Sequence, residues 1–338
     1  MFPDPITRDT PDVLRVLYQY RIALEARETT LLNDMANRWL MIEQRLDADI
    51  ASLAMDIQLL KNRGIVITEN VVLQSQKYQL LRSQMEREII KYNTDYASGA
   101  IAKAQFEYAT LGIDKAQNAL MVTLGNTFAN FQRINISAVE AMIGFAGDGS
   151  PLNKLLRADY QDAVYGLTNA LINGIARGQG PVQTAQQMSA GMGMGFERAV
   201  LIARTETLRA YRTATTAQYR ESGAVSGYRR LVFKPTACMA CLMADGEYFE
   251  LENELTDHPR GKCDSIATIK GVNDIKWETG QEWFGNLSPE EQSEKMGPEK
   301  YALWKDGQFK LDDLYKVQKS SVWGDSPRVA TLKELTNQ

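Results

Sequence analysis

Histidine and cysteine are almost missing from this 338-residue chain, which has one histidine and three cysteines. If the single histidine is committed to a structural task, Ser-His and Cys-His hydrolases, histidine nucleases and H-E-x-x-H proteases are all excluded. Three cysteines cannot all pair as disulfides. Met1-Phe2-Pro3-Asp4-Pro5 lacks the charged start and apolar stretch of a secretory leader. The expectation is a protein made with reduced cysteines in a cytoplasm. No run of 18 apolar residues is present, so no membrane span is expected. The net charge of −4 excludes a general basic coat for nucleic acid. What is present is an ordinary apolar fraction, 44%, and enough length for about two domains.

The scarce residues are concentrated. All three cysteines and the histidine fall inside residues 238–263. Cys238 and Cys241 form C-x2-C, and His258 and Cys263 form H-x4-C after a 16-residue gap. Zinc takes four soft or borderline ligands in a tetrahedron, commonly as two close pairs on two turns. Pro259 and Gly261 suit the second turn. The spacing therefore predicts a structural zinc held by Cys238, Cys241, His258 and Cys263, with Asp245 in reserve as a substitute ligand. A redox C-x-x-C would start a helix after a strand, where the dipole lowers a thiol pKa. Here Cys241 leads into Ala244-Asp245-Gly246, read as a turn, and Tyr248-Phe249, read as strand. That context predicts a zinc ribbon-like hairpin.

Before this window the chain reads as helix. Residues 1–9, with Pro3 and Pro5, read as a flexible arm, and Thr10-Pro11-Asp12 is a helix start. Apolar residues recur at Leu32, Met35, Trp39, Ile42, Leu46, Ile50, Leu53, Ile57 and Leu60, a stripe that predicts a long helix to about residue 63. Further helices are expected over 68–93, 96–132, 151–177, 181–190 and 196–222. Breaks are expected at Gly64, at Gly144 with Gly147-Asp148-Gly149, and at a flexible joint, Gly191-Met192-Gly193-Met194-Gly195. The last of these helices carries Ala199, Ala203, Ala210, Ala214 and Ala217, which allow close helix approach. Tyr228 to Lys234 alternates as a strand, with Tyr228, Arg230, Val232 and Lys234 on one face.

Charge is uneven around the cysteines. Residues 199–234 hold seven basic and two acidic residues, and residues 245–257 hold six acids and no base. Arg204, Arg209, Arg212, Arg229, Arg230 and Lys234 are candidate contacts to DNA or a protein partner. The plainer reading, a solvated helix face with salt bridges to the acidic loop, is preferred because interleaved aromatics are sparse. Arg204 and Glu206, two apart on a helix, do not face each other and make no catalytic pair. The tail, 271–338, holds Trp277, Trp283, Trp304 and Trp323 of the five tryptophans, and Ser288-Pro289-Glu290-Glu291 is a capping box. Short helices are expected there over 288–296, 298–305 and 311–317, anchored by aromatics. The fold class expected is mainly α with a small zinc-stabilised β module (α+β): long N-terminal helices, a helical core and C-terminal short helices.

At this point the chain resembles the head morphogenesis proteins of tailed bacteriophages, the minor head proteins similar to phage Mu's F protein. The residues that carry the resemblance are Ala203-Arg204-Thr205-Glu206-Thr207, Gly227-Tyr228, Cys238-Met239-Ala240-Cys241, Asp245-Gly246 and His258-Pro259 through Cys263. The tail adds Trp283-Phe284, Leu287-Ser288, Gln292, Gly297, Trp304-Lys305, Gly307, Leu311 and Trp323-Gly324. Such proteins often end the motif His-Pro-x-Cys-x-Cys, whereas here Gly261 takes the first cysteine position. The helical stripes give a long helical N-terminal domain over 10–146 and the tryptophans mark a Trp-rich segment over 271–338, while the resemblance implies a head-morphogenesis-like domain over 150–270 with its zinc module at 226–266. It further implies a non-enzymatic virion protein of the phage head. Such a protein would associate with the portal, with major capsid or scaffold protein inside the procapsid, and with packaged DNA, during head assembly and DNA packaging or ejection. Two alternatives remain: a zinc-ribbon nucleic-acid binder, and a phage-delivered enzyme or toxin. The second would need a further domain, and the segment after residue 270 shows neither a glycine loop nor an acidic cluster.

Overall fold

The structure, a computed structural model, describes residues 10–125, 133–135, 137–138, 159–177, 179–255, 257–319 and 325–336. The flexible arm at 1–9, the breaks at Gly144 and Gly147–Gly149, and Trp323-Gly324 lie outside them. The described chain is mainly helical with two small antiparallel sheets. By its contacts it divides into two compact units. One comprises residues 1–24, 107–143 and 208–338, and the other residues 25–106 and 144–207.

The second of these units is all helix. Helix α1 spans Asp12–Asn62. Its predicted stripe is its buried face: Met35, Trp39, Ile42, Leu46, Ile50, Leu53 and Ile57 are all buried. Gly64, at φ 83°, closes the helix as expected. The single helix expected over 68–93 is two. Helix α2, Glu69–Gln74, is capped by Thr68, and extended backbone at Ser75 separates it from α3, Gln76–Tyr92. A π-helical turn, Asn93–Ala97, then carries the chain without a break into α4, Ser98–Leu124. Residues 126–132 of the helix expected there lie outside the described residues. Helices α5, Asp159–Ala176, and α6, Pro181–Ser222, follow.

Helix α6 corrects one expectation. The Gly191–Gly195 tract is not a flexible joint; it is continuous helix, with Met192 fully buried. The reason is a non-local contact. A Cβ on Gly191 or on Gly166 of α5 would collide with the other's carbonyl oxygen, so the glycines let two backbones touch. Met188 and Met192 then pack with Leu167 and Leu171 against the stripe of α1 and against Tyr78, Leu81, Met85 and Ile89 of α3.

The other unit is built on a three-stranded sheet. Strand β1, Val225–Leu231, is central. It lies antiparallel to β2, Tyr248–Glu250, and to β3, Asp264–Ile269, in the order β2-β1-β3. The strand expected over 228–234 begins and ends three residues earlier, and 234–236 form a turn. The expected alternation holds: Tyr228, Arg230, Val232 and Lys234 are buried, while Arg229, Leu231 and Phe233 are half-buried. A five-residue helix, α7, Met239–Met243, follows β1.

The tail packs on this core. Helices α8, Gly280–Asn286, and α9, Pro289–Met296, both start with capping boxes, at Thr279–Glu282 and at the predicted Ser288–Glu291. Helix α10 is Pro298–Lys305. Phe284 is fully buried, 5.7 Å from the Trp304 ring, and Trp283 and Met296 join the same core. The helix expected over 311–317 is instead one 3-10 turn, Leu311–Leu314, running into β4, Tyr315–Gln318. This strand pairs with β5, Ser326–Val329, so strand pairing overrides the local helical reading. Helix α11, Leu332–Thr336, buries Leu335 in that core.

Candidate metal centre

The first cysteine pair is set by the single turn of α7. Cys238 is its N-cap, with extended backbone (φ −75°, ψ 164°), and its Sγ accepts from Cys241 N at 3.5 Å. One helical turn thus points both sulfurs to the same side. This revises the sequence argument about context: the pair does start a helical turn after a strand. The feature that sets it apart from a simple dithiol is the arrival of the second pair.

His258 Nε2 lies 3.6 Å from Cys238 Sγ and 3.4 Å from Cys241 Sγ. Its Nδ1 lies 2.9 Å from the Pro259 carbonyl. A carbonyl can only accept, so Nδ1 carries a proton and Nε2 is the nitrogen left to face the sulfurs, the arrangement seen in metal-ligating histidines. A tetrahedral ion with bonds of ~2.3 Å to sulfur and ~2.05 Å to nitrogen requires S···N edges of roughly 3.5 Å. The two observed edges fit. Cys263, at the end of the second turn, forms a further group with Cys241 and Asp257, donor atoms all within 4.8 Å of one another. Cys238, Cys241, His258 and Cys263 all line one cavity, closed by Val232, Phe233 and Ala237. Cys238, Cys241, His258 and Cys263 can therefore hold a metal ion.

The electrostatics agree. Hydrogen bonding from Cys241, and from His258, pulls the Cys238 thiol down to about 4 although burial opposes it. Cys241 is pushed far up by sharing its proton with Cys238 and Cys263, by burial and by Asp257. His258 is raised to about 9 by its bond to Cys238 and by Asp257, against burial. These donors form two groups joined through Cys241 and share protons, and a divalent cation among them would displace those protons.

Asp245, held in reserve as a ligand, is used elsewhere. Its Oδ1 accepts from Val232 N at 3.0 Å, and its Oδ2 faces Trp277 Nε1 at 3.4 Å and Lys234 Nζ at 3.9 Å. The acid that does approach the cysteines is Asp257, which sequence reasoning missed. Its only signal was its place beside His258.

The basic residues are largely engaged within the chain. Arg212 pairs with Asp257 at 2.7 Å, Arg230 with Glu247 at 3.3 Å and Lys234 with Asp245 at 3.9 Å, so the acidic loop meets the basic segment through salt bridges, as preferred above. Arg229 pairs with Asp274 at 3.0 Å. Arg230 is fully buried and Lys234 nearly so, which leaves them little surface for a partner. Arg204 pairs with Glu28 at 3.0 Å, not with Glu206. Arg209 lines a groove with Arg212, Thr213, Thr216 and Arg220.

Fold and site together define a mainly helical protein in which a small antiparallel sheet carries a Cys/Cys/His/Cys cluster able to hold a metal. The model of a family described as "Phage Mu protein F like protein" matches residues 166–264, which is consistent with a phage head morphogenesis family. The match runs from within α5 through α6, β1, α7 and β2 to the first residue of β3, and encloses all four cluster residues. No curated protein and no solved structure matches the chain.

Proposed function

We propose that this chain is a non-enzymatic minor head protein of a tailed phage, a virion component that joins portal and capsid or scaffold protein inside the procapsid during head assembly and DNA packaging or ejection. The observation that carries this reading is the family match over residues 166–264. The Cys238, Cys241, His258, Cys263 cluster falls within it, and among the described residues no helix is long and apolar enough to cross a membrane. The metal is zinc, and its part is structural. Sulfur and imidazole donors suit zinc, and four protein ligands leave no position for a substrate. The bound ion would tie the loop after β2, which has little regular structure, to α7. The chain's own residues do the rest: α7 aims two thiolates, the Nδ1–Pro259 bond orients the imidazole, and the core of Leu242, Trp283 and Phe284 backs the knuckle. The reading is tested by expressing the chain with the portal and capsid proteins of its phage and analysing the purified heads. It predicts a small fixed number of copies retained with the portal. Heads that assemble and package normally without it, and never incorporate it, would contradict it.

A further inference from the structure

We infer that Asp257 is the positioning residue of this metal centre: its carboxylate fixes the His258 turn and the Cys263 turn in one geometry, so that both ligands meet the Cys238–Cys241 pair. The inference rests on the metal-binding reading above. Three observations carry it.

The first is how the carboxylate is used. Asp257 is fully buried at its side chain. Its Oδ1 accepts from His258 N at 2.9 Å, and its Oδ2 accepts from Cys263 N at 3.0 Å. One carboxylate therefore ties the backbones of two ligands that are five residues apart. Oδ1 also lies 3.9 Å from Cys241 Sγ and 3.8 Å from His258 Nε2, so the tie sits against the donor atoms.

The second is how the carboxylate is held. Arg212 of α6 donates to Oδ2 at 2.7 Å, to the Gly261 carbonyl at 2.6 Å and to the Cys263 carbonyl at 2.9 Å. The guanidinium fork thus clamps the acid and the turn it organises. Gly261 completes the fit. A Cβ there would collide with the Asp257 carboxylate, so the absence of a side chain at 261 is what gives the acid its place.

The third is charge. With metal bound, three cysteine thiolates and Asp257 make four negative groups around one cavity. Arg212 offsets one, and Arg230, fully buried, offsets another from beside Cys263. A divalent cation with neutral His258 closes the balance, and burial of so many charges demands such closure. Glu247, the other partner of Arg230, is partly exposed to solvent.

The test is a cobalt(II) titration of the full chain against a competing chelator, read by the thiolate-to-cobalt and ligand-field absorption bands. The unfolding of each variant without added metal is followed separately. Asp257→Ala is expected to weaken cobalt binding by about 10- to 100-fold, the usual range for a group that orients ligands. Asp257→Asn, of the same shape, should weaken it less, because its amide oxygen still accepts one N–H. Gly261→Ala keeps the acid but displaces it, and should repeat the loss even if Asp257→Ala does not fold. At saturating cobalt the Asp257→Asn spectrum should match that of the natural chain. Equal affinity across all variants overturns the inference. A changed spectrum at saturation makes Asp257 a ligand and overturns its positioning role. A natural chain that binds no cobalt overturns the metal-binding reading itself, and this inference with it.

Discussion

Lys115, on α4, is fully buried, and its removal should be among the most damaging single changes in the sheet-containing unit. Its ammonium donates to Asp264 Oδ1 at 2.8 Å, to the Ser265 carbonyl at 2.5 Å and to Ser265 Oγ at 3.3 Å. It lies 5.7 and 5.6 Å from the ring centroids of Tyr211 and Tyr219. Burial is the largest single influence and works against the charged form, but Asp264 and Tyr219 together outweigh it and raise Lys115 above the ordinary lysine range. Asp264 is 13% exposed and, among the described residues, keeps the Tyr211 hydroxyl, at 3.0 Å, and Ser265 N, at 2.7 Å, when the lysine is gone. Breaking a buried pair from one side costs about 3–5 kcal/mol, because the remaining charge is stranded. Lys115→Met should therefore lose about that much in urea unfolding followed by tryptophan fluorescence. Asp264→Asn on the Lys115→Met background should recover part of the loss, since it removes the stranded charge. Strict additivity of the two substitutions, or a loss below about 1 kcal/mol for Lys115→Met, would refute the assignment of this pair as a coupled buried unit.

Three further outcomes follow from particular contacts. Burial raises Asp245 from 3.8 to about 6, with Lys234 pulling the other way. A carboxyl raised in the fold stabilises fully below its unfolded value and loses that contribution as pH rises through the folded one. Compared with Asp245→Asn, the natural chain should therefore lose up to about 3 kcal/mol of stability between pH 4 and pH 7; a flat difference across that window would count against the shift. Gly191→Ala forces a methyl into the Gly166 carbonyl and should destabilise the all-helical unit by about 1–3 kcal/mol, seen by circular dichroism. If the tract were a hinge, the same change would stabilise it. Phe284→Ala empties a fully buried ring position and should cost about 3–5 kcal/mol, which an ornamental tail would not.

The parts of this molecule that were legible in the sequence are those governed by local rules. The stripe on α1, the Ser288 capping box, the alternation of Tyr228, Arg230, Val232 and Lys234, and the two ligand pairs all follow from periodicity or short spacing. What was not legible depends on partners distant in sequence. Gly191 and Gly193 read as a joint because glycine is flexible by itself; only the Gly166 backbone across from it makes it a contact residue. Tyr315 to Val317 read as helix because the strand partner begins only at Ser326. Asp257 was one of six acids in a loop, set apart from Asp245 only by its place beside His258. The turn from His258 to Cys263 folds back on the one and leaves the other to Val232 and Lys234. The short helix at Met239–Met243 was hidden by its length, since a single turn carries no periodicity.

The central claim is that Cys238, Cys241, His258 and Cys263 hold one structural zinc. Its most direct test is the metal content of the purified chain, measured together with thermal unfolding before and after a strong chelator. The account predicts one zinc per chain and, after chelation, a lowered transition in the tryptophan fluorescence of the sheet-containing unit. No bound metal, with melting unchanged by the chelator, would contradict it.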